Sequence, residues 1–352
     1  MNSYAKPFKL DEIRQVVKEA IEKVNLKKEN KLLREQVENL QGRVKIITQD
    51  PAMQRLLNTA KQIAPTDSNV LISGETGTGK ELLAKYIHFN SLRANGAFFA
   101  INCGAFPESL LNSELFGYEK GAFTDAQAMK KGLIEMASGG TLFLDEITEM
   151  LPSMQVKLLR VIQEKDVLRL GSTKPIKVDV RFIAATNRNI QESIKDGQFR
   201  QDLYYRLNVL SFHLPPLSER KDDLVLLSYY FLKKYSLLMK KEISGISEDV
   251  LALLREYDFP GNIRELENII ERGVALASGN VLEVSHLPED LKGLSVRTFR
   301  KKEGRIPTLK EQETDYIQWV LNEVGNNQTQ AAQILGIDRV SLWRKLQKEK
   351  EK

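Results

Sequence analysis

The chain has 352 residues, a formal charge of +5, 42% hydrophobic residues, one cysteine and three histidines. That length allows two or three folded units with cores of their own; Cys103 can form no internal disulfide, and His88, His213 and His286 are too scattered for a metal-ligand cluster. No run approaches eighteen apolar residues and no signal peptide precedes the first charges, so the expectation is a cytoplasmic protein with no membrane partner.

Residues 10–41 are rich in Glu, Lys and Leu and helical in pattern. Leu26, Leu33 and Leu40 recur every seven residues, with Asn30 and Val37 four places after the first two. This fits d-position leucines and an a-position Asn30, whose burial fixes register and favours two strands. A solvated single helix stays open, because so few heptads are present. Ahead of this helix, Tyr4-Ala5-Lys6-Pro7-Phe8 resembles the end of a response-regulator receiver domain, so residues 1–22 are expected to be a remnant of one, and 23–43 the coiled-coil linker.

From Val44 to about Pro216 apolar runs alternate with helical patterns, as in a parallel sheet covered on both faces. The runs are Val70 to Ile72, Phe98 to Cys103, Thr141 to Leu144 and Val180 to Ala185. In such a sheet the ligand crevice lies beyond the carboxyl ends of the strands, where Asn102, Asp145, Glu146 and Asn187 fall.

The first run leads into Gly74-Glu75-Thr76-Gly77-Thr78-Gly79-Lys80-Glu81, and Leu82, Leu83, Tyr86 and Ile87 then continue as a helix. Strand, glycine loop and helix start together make a phosphate-binding loop. The glycines let successive N–H groups face one anion, the helix N-terminus adds partial positive charge, and Lys80 supplies a mobile cation. Glu81 stands where the general pattern has a magnesium-holding Ser or Thr, so a metal must lean on other groups. The third run ends in Asp145-Glu146, which suits one carboxylate for magnesium and one for deprotonating the attacking water. Paired acids at a strand end also suit helix N-capping, a reading that the upstream phosphate loop weakens.

GETGTGKE, SELFGYEKGAFTDA (113–126), GGTLFLDE, AATN (184–187), FRQDLYYRLNV (199–209) and FPGNIREL (259–266) resemble, in unbroken order, the motifs of the NtrC-type activators of sigma-54 RNA polymerase, within the AAA+ ATPases. That family commonly has Glu after the lysine. The resemblance implies ATP as the nucleotide and magnesium on Asp145. It implies nucleotide contacts along Gly74, Glu75, Thr76, Gly77, Thr78, Gly79, Lys80, Glu81 and Leu82. Glu146 becomes the base, Asn102 its restraint, Asn187 the sensor of the γ-phosphate and Arg264 the sensor arginine of a helical lid. Arg200 and Arg206 lie in the motif that carries an arginine finger acting on a neighbour's ATP; the sequence leaves open which of them does so. A finger in trans implies a homo-oligomer, with dimers assembling to a hexameric or heptameric ring.

Gly121-Ala122-Phe123-Thr124-Asp125-Ala126 corresponds to the family's sigma-54 contact loop, with Asp125 where the family has glycine. Leu170-Gly171-Ser172-Thr173-Lys174-Pro175 is expected to support it. Residues 217–290 show amphipathic helices and little strand pattern, as a lid would.

Residues 291–306 are basic and broken by glycines, a linker. Residues 297–352 carry 12 Lys and Arg against 8 Asp and Glu, most of the chain's excess charge. Leu309 to Val324, Gln328 to Leu335 and Arg339 to Gln347 are helical patterns, the last two joined by Gly336-Ile337. Residues 307–352 thus have helix-turn-helix spacing and resemble a Fis-type domain. Arg339, Ser341, Arg344 and Lys345 are the candidates for contacts to double-stranded DNA; a helical dimerisation hairpin is compatible with the same pattern.

The fold class is therefore an α/β AAA+ subdomain (44–216) with an α-helical lid (217–290), an N-terminal coiled-coil helix and a C-terminal Fis-type helix-turn-helix. The function expected is ATP-driven remodelling of the sigma-54 polymerase closed complex from an enhancer-like DNA site. The alternative is a DNA-binding regulator whose nucleotide site serves oligomerisation only.

Overall fold

A computed structural model describes residues 46–123, 126–292, 308–325 and 327–350. The receiver remnant, the coiled coil, most of the 291–306 linker and the loop residues Thr124 and Asp125 lie outside them. The chain forms two compact units. One takes in the chain to Leu227 together with Phe259–Leu266; the other takes in Ser228–Asp258 and the residues from Glu267 on. No helix among the described residues is long and apolar enough to cross a membrane.

The first unit is built on five parallel strands, β1 (Val70–Ser73), β2 (Phe98–Asn102), β3 (Thr141–Asp145), β4 (Arg181–Thr186) and β5 (Leu210–His213), in the order β2-β3-β4-β1-β5. Successive side chains on a strand point to opposite faces, and here both faces are buried. Leu71, Ile101, Leu142, Leu144, Phe182 and Ala184 enter one apolar cluster. Val70, Ile72, Phe143, Ile183, Ala185 and Phe212 enter the other. Helices Pro152–Glu164 and Gln201–Leu207 contribute to the first cluster, and Pro51–Ile63 and Lys80–Phe89 to the second. This two-sided burial explains why the central strands β1, β3 and β4 read as continuous apolar runs; edge strand β2, where Ile101 is buried and Ala100 exposed, reads as a run through its composition. The fifth does not, because β5 alternates Leu210, Ser211, Phe212 and His213 at the sheet edge, with Ser211 and His213 exposed.

Two short antiparallel pairings lie outside the sheet, Gly117–Tyr118 with Lys130–Lys131 and Asp166–Val167 with Ile176–Lys177. Backbone bonds join them: Leu170 N–H donates to the Gly117 carbonyl at 2.9 Å and Glu119 N–H to the Leu170 carbonyl at 3.0 Å. Arg169 is held by Glu135 through Nη2 at 2.7 Å and by Glu119 through Nη1 at 2.8 Å. The expected support of one loop by the other thus has a charged and a backbone component.

His88 is buried on helix Lys80–Phe89, with Nδ1 2.9 Å from the Thr141 hydroxyl and its ring against Phe98. Desolvation, and then the Arg181 charge, push its pKa down to about 4. The ring stays neutral in the fold while an unfolded chain protonates it near pH 6.5, so stability is lost as pH falls from 6.5 toward 4. His88 alone is expected to make the protein about 2 kcal/mol less stable at pH 5 than at pH 7.5. Urea unfolding at the two pH values should show that difference shrinking in His88→Asn; an unchanged difference would refute the assignment.

The second unit has its own core. Helices Glu248–Glu256 and Glu289–Lys292 pack together, and Gly245–Ile246 pairs in parallel with Val281–Leu282, a short strand pair the sequence pattern did not suggest. Helices Leu309–Glu323, Gln328–Ile334 and Arg339–Lys350 close around Ile317, Val320, Leu321, Ala331, Ala332 and Leu342. Asn327 caps the second of these by accepting from Thr329 and Gln330 N–H, and Gly336, at φ 66°, supplies the left-handed turn that ends it.

Candidate nucleotide site

The carboxyl ends of β1 to β4 bring together the residues singled out from sequence. Ser73 pairs with Thr186 in register, and Asn102 with Asp145, so the glycine loop, Asn102, the paired acids and Asn187 leave the same edge of the sheet. Gly74 (φ 153°), Gly77 (φ 80°) and Gly79 (φ 98°) carry the loop into helix Lys80–Phe89. Gly77 also has no room for a side chain, since a Cβ there would lie 2.1 Å from the Gly261 carbonyl oxygen and 3.2 Å from the Cβ of Arg264. The arginine predicted as a sensor therefore sits directly against the phosphate loop.

Lys80 is buried, and its ammonium donates to the carbonyls of Gly74 at 2.8 Å and Glu75 at 2.9 Å. Burial holds its pKa below the usual lysine value, opposed by the charges of Asp145 and Glu146. Asp145 is pushed up by burial and pulled down by Lys80, and it accepts from Glu146 N–H at 3.0 Å. Glu146 adopts φ 51°, ψ 47°, a left-handed geometry uncommon for a side chain of its size. Its carboxylate lies over Gly104, where an added Cβ would approach Oε2 to 3.0 Å. Asn102 accepts from Gly104 N–H at 2.8 Å, so Asn102 and Glu146 share Gly104 as a neighbour. Asn187 donates from Nδ2 to the Thr76 hydroxyl at 3.2 Å. Glu81 forms a surface pair with Lys85, and Leu82 is exposed.

A magnesium ion bound with a nucleotide takes one or two carboxylates and completes its shell from phosphates and water. Asp145, a partly buried carboxylate at a strand end beside Lys80, could supply one ligand to such an ion.

Arg200 is the N-cap of helix Gln201–Leu207 and Arg206 lies in its last turn. Arg200 is engaged by Asp202, through Nε at 3.0 Å and Nη2 at 2.7 Å. Arg206 is exposed, and its neighbours Tyr205 and Val209 are 65% and 57% exposed.

In the loop after Tyr118, Gly121 N–H donates to the Ala126 carbonyl and Ala126 N–H to the Phe123 carbonyl, closing a tight turn. Phe123 is 44% exposed, with its ring edge-on to Tyr118 at 4.9 Å between centroids. Ala126 is buried. The loop's aromatic is thus presented while its last residue packs inward.

On helix Arg339–Lys350, Arg339 and Arg344 are exposed. Ser341 is half-buried and donates its hydroxyl to Asp338 at 2.6 Å, and Lys345 pairs with Glu313 at 2.6 Å. Two of the four candidates therefore have partners within the domain.

Sequence reasoning missed Asn262 and Arg220. Asn262 is fully buried and bonded to the glycine loop; Arg220 is buried, with Nη2 3.4 Å from the Thr78 carbonyl. Arg220 stands among Glu219, Lys221 and Asp222, and Asn262 follows Pro260-Gly261, settings in which a polar residue reads as solvated surface rather than as a clamp.

Three family models match in succession: the sigma-54 interaction domain over residues 46–213, the AAA+ ATPase lid domain over 218–303, and the bacterial regulatory protein Fis family over 308–348. Among curated relatives, regulatory protein AtoC of Escherichia coli K12 is 45% identical over 97% of this chain and 76% of its own length. Transcriptional regulatory protein ZraR of Salmonella typhimurium is 47% identical over 86% of this chain and 68% of its own length. Among solved structures, NtrX from Brucella abortus in complex with ADP superposes with a TM-score of 0.68 at 32% identity, covering 97% of this chain and 76% of that one. The same protein in complex with ATP gives 0.66 at 34% identity, with the same coverage.

Proposed function

This chain belongs to the sigma-54-dependent transcriptional activators, with an AAA+ nucleotide-binding domain and a Fis-type DNA-binding domain, and on that footing we propose that it hydrolyses ATP to remodel the sigma-54 RNA polymerase closed complex in the bacterial cytoplasm. The observation that carries the proposal is the convergence of Lys80, Asp145, Glu146 and Asn187 on one sheet edge. A site kept only for oligomerisation would need no base held in a left-handed backbone beside a magnesium carboxylate.

In this reading Lys80 and the loop N–H groups bind the β- and γ-phosphates, which the helix N-terminus favours. Asp145 would hold magnesium, which neutralises charge as the phosphoryl group transfers. Glu146 orients and deprotonates the attacking water, and Asn102, beside it at Gly104, restrains it. Asn187, on the Thr76 hydroxyl, reports the γ-phosphate to β4, and Arg264 adds positive charge against the loop. The finger comes from a second copy, so dimers assemble into a hexameric or heptameric ring.

We assign sigma-54 contact to Phe123 with Gly121, Ala122, Thr124 and Asp125, and DNA contact chiefly to Arg339 and Arg344. Phe123→Ala is expected to lose sigma-54 capture in the presence of an ATP transition-state analogue while keeping basal ATPase within about twofold, because the ring lies outside the apolar core. Co-sedimentation with purified sigma-54 checks this. Parent-like capture by Phe123→Ala would remove the loop from the contact.

A further inference from the structure

We propose that Asn262 is a positioning residue of the phosphate loop, acting through Glu75 and Thr76 to set the conformation in which the loop meets the nucleotide; this rests on the nucleotide-site reading above.

Every carbonyl from Gly74 to Thr78 is engaged by a donor. Lys80 takes those of Gly74 and Glu75, and the Thr78 hydroxyl also donates to Glu75 at 2.8 Å. Asn262 Nδ2 donates to the Thr76 carbonyl at 3.1 Å, Ile263 N–H to that of Gly77 at 3.0 Å, and Arg220 lies behind Thr78. A peptide plane whose carbonyl is tied on one side is fixed with its N–H on the other, and an anion-binding concavity needs such fixed planes. The tip of the loop, Thr76 and Gly77, is thus held from behind by Asn262 and Ile263.

Asn262 makes more than one bond. The same Nδ2 donates to the Glu75 carboxylate at 2.9 Å, and its Oδ1 accepts from Leu217 N–H at 2.7 Å. The residue is fully buried and left-handed, at φ 52°, as is buried Phe259 at φ 49° three residues earlier. Two left-handed non-glycine residues within one turn persist only where the surroundings over-determine them. Asn tolerates that region well, and its amide offers two N–H donors toward the loop together with an acceptor to Leu217. From the other side Asn187 holds the Thr76 hydroxyl, so the two amides grip neighbouring groups of one residue.

The test exploits the Glu75 contact. Asn262→Asp keeps size and the acceptor for Leu217 but replaces the donor with a carboxylate facing Glu75. MgATP affinity, measured by titration calorimetry on the full chain at pH 8, is expected to fall at least ~10-fold. Adding Glu75→Gln restores a donor to the pair, so the double variant is expected to bind at least ~10-fold more tightly than Asn262→Asp alone. Lowering pH to 5.5 should tighten binding to Asn262→Asp relative to the parent, since one protonated carboxyl of the facing pair removes the repulsion and supplies an O–H donor; the double variant should lack that gain. A residue that merely fills space would show neither the charge swap nor the pH dependence. Should Asn262→Asp not fold, Asn262→Gly, which keeps the left-handed backbone, is expected to show the same loss of affinity at a temperature where it is fully folded. Parent-like affinity in whichever single variant folds, or a double variant no better than Asn262→Asp, overturns the proposal. A parent chain that itself fails to bind MgATP would instead overturn the nucleotide-site reading.

Discussion

Replacing Glu146 with Gln lowers steady-state ATP turnover at least ~100-fold while MgATP still binds. The substitution keeps the side chain's size, the left-handed backbone and the place beside Gly104, and leaves both Asp145 and Lys80 intact. What it removes is the carboxylate assigned to take the proton from water. Binding and turnover therefore separate, which a loss of structure would not produce. Turnover within a few-fold of the parent would move the base elsewhere, and Asp145 would become the first alternative. Burial already holds its carboxyl above the usual aspartate value, so with Asp145 in the proposed magnesium-holding role hydrolysis would weaken as pH falls and a proton competes for that carboxylate.

The second large effect lies on the surface. Arg206→Ala is expected to reduce turnover on the order of 10³-fold, the scale on which an arginine finger acts, and Arg200→Ala by much less. Arg200 already has a bidentate partner in Asp202, which orients it along its own helix start. Arg206 forms no ion pair among the described residues and is bordered by exposed Tyr205 and Val209, an apolar setting suited to burial against a second copy. If the finger acts on the neighbour's nucleotide, as proposed, mixing Arg206→Ala with Lys80→Ala should restore part of the turnover that neither has alone. No recovery at any ratio, with assembly verified, would count against action in trans; equal losses at both arginines would remove the distinction between them.

Much of this was legible in the residues themselves. Strands β1, β3 and β4 announced themselves because both faces of a central parallel strand are buried, leaving apolar runs such as 142–144, while β2 did so through its own apolar residues at the edge opposite β5. β5 escaped notice because an edge strand that alternates Ser211 and His213 with apolar residues carries half the signal. The helix-turn-helix could be read because Ala331, Ala332 and Leu342 must pack inward at fixed spacing around Gly336. The glycine loop was legible for a similar reason: few residues but glycine fit its geometry, as the 2.1 Å approach at Gly77 makes plain. What holds that loop was not. Asn262 lies 186 residues from the Thr76 carbonyl it serves, and hydrogen bonds of that span leave no periodicity in a sequence. Arg200 and Ser341 are a different case: Asp202 and Asp338, which accept from them, are local neighbours at separations of 2 and 3 residues, and only the geometry shows that the bonds form.

The most direct measurement is promoter opening by sigma-54 RNA polymerase on a supercoiled template, followed by permanganate reactivity of the melted bases. The expected result is opening that requires this chain together with hydrolysable ATP, is absent with a non-hydrolysable analogue, and is lost in both Glu146→Gln and Phe123→Ala. Opening that proceeds equally with the non-hydrolysable analogue, or no opening although the chain hydrolyses ATP and binds the template, would contradict the account.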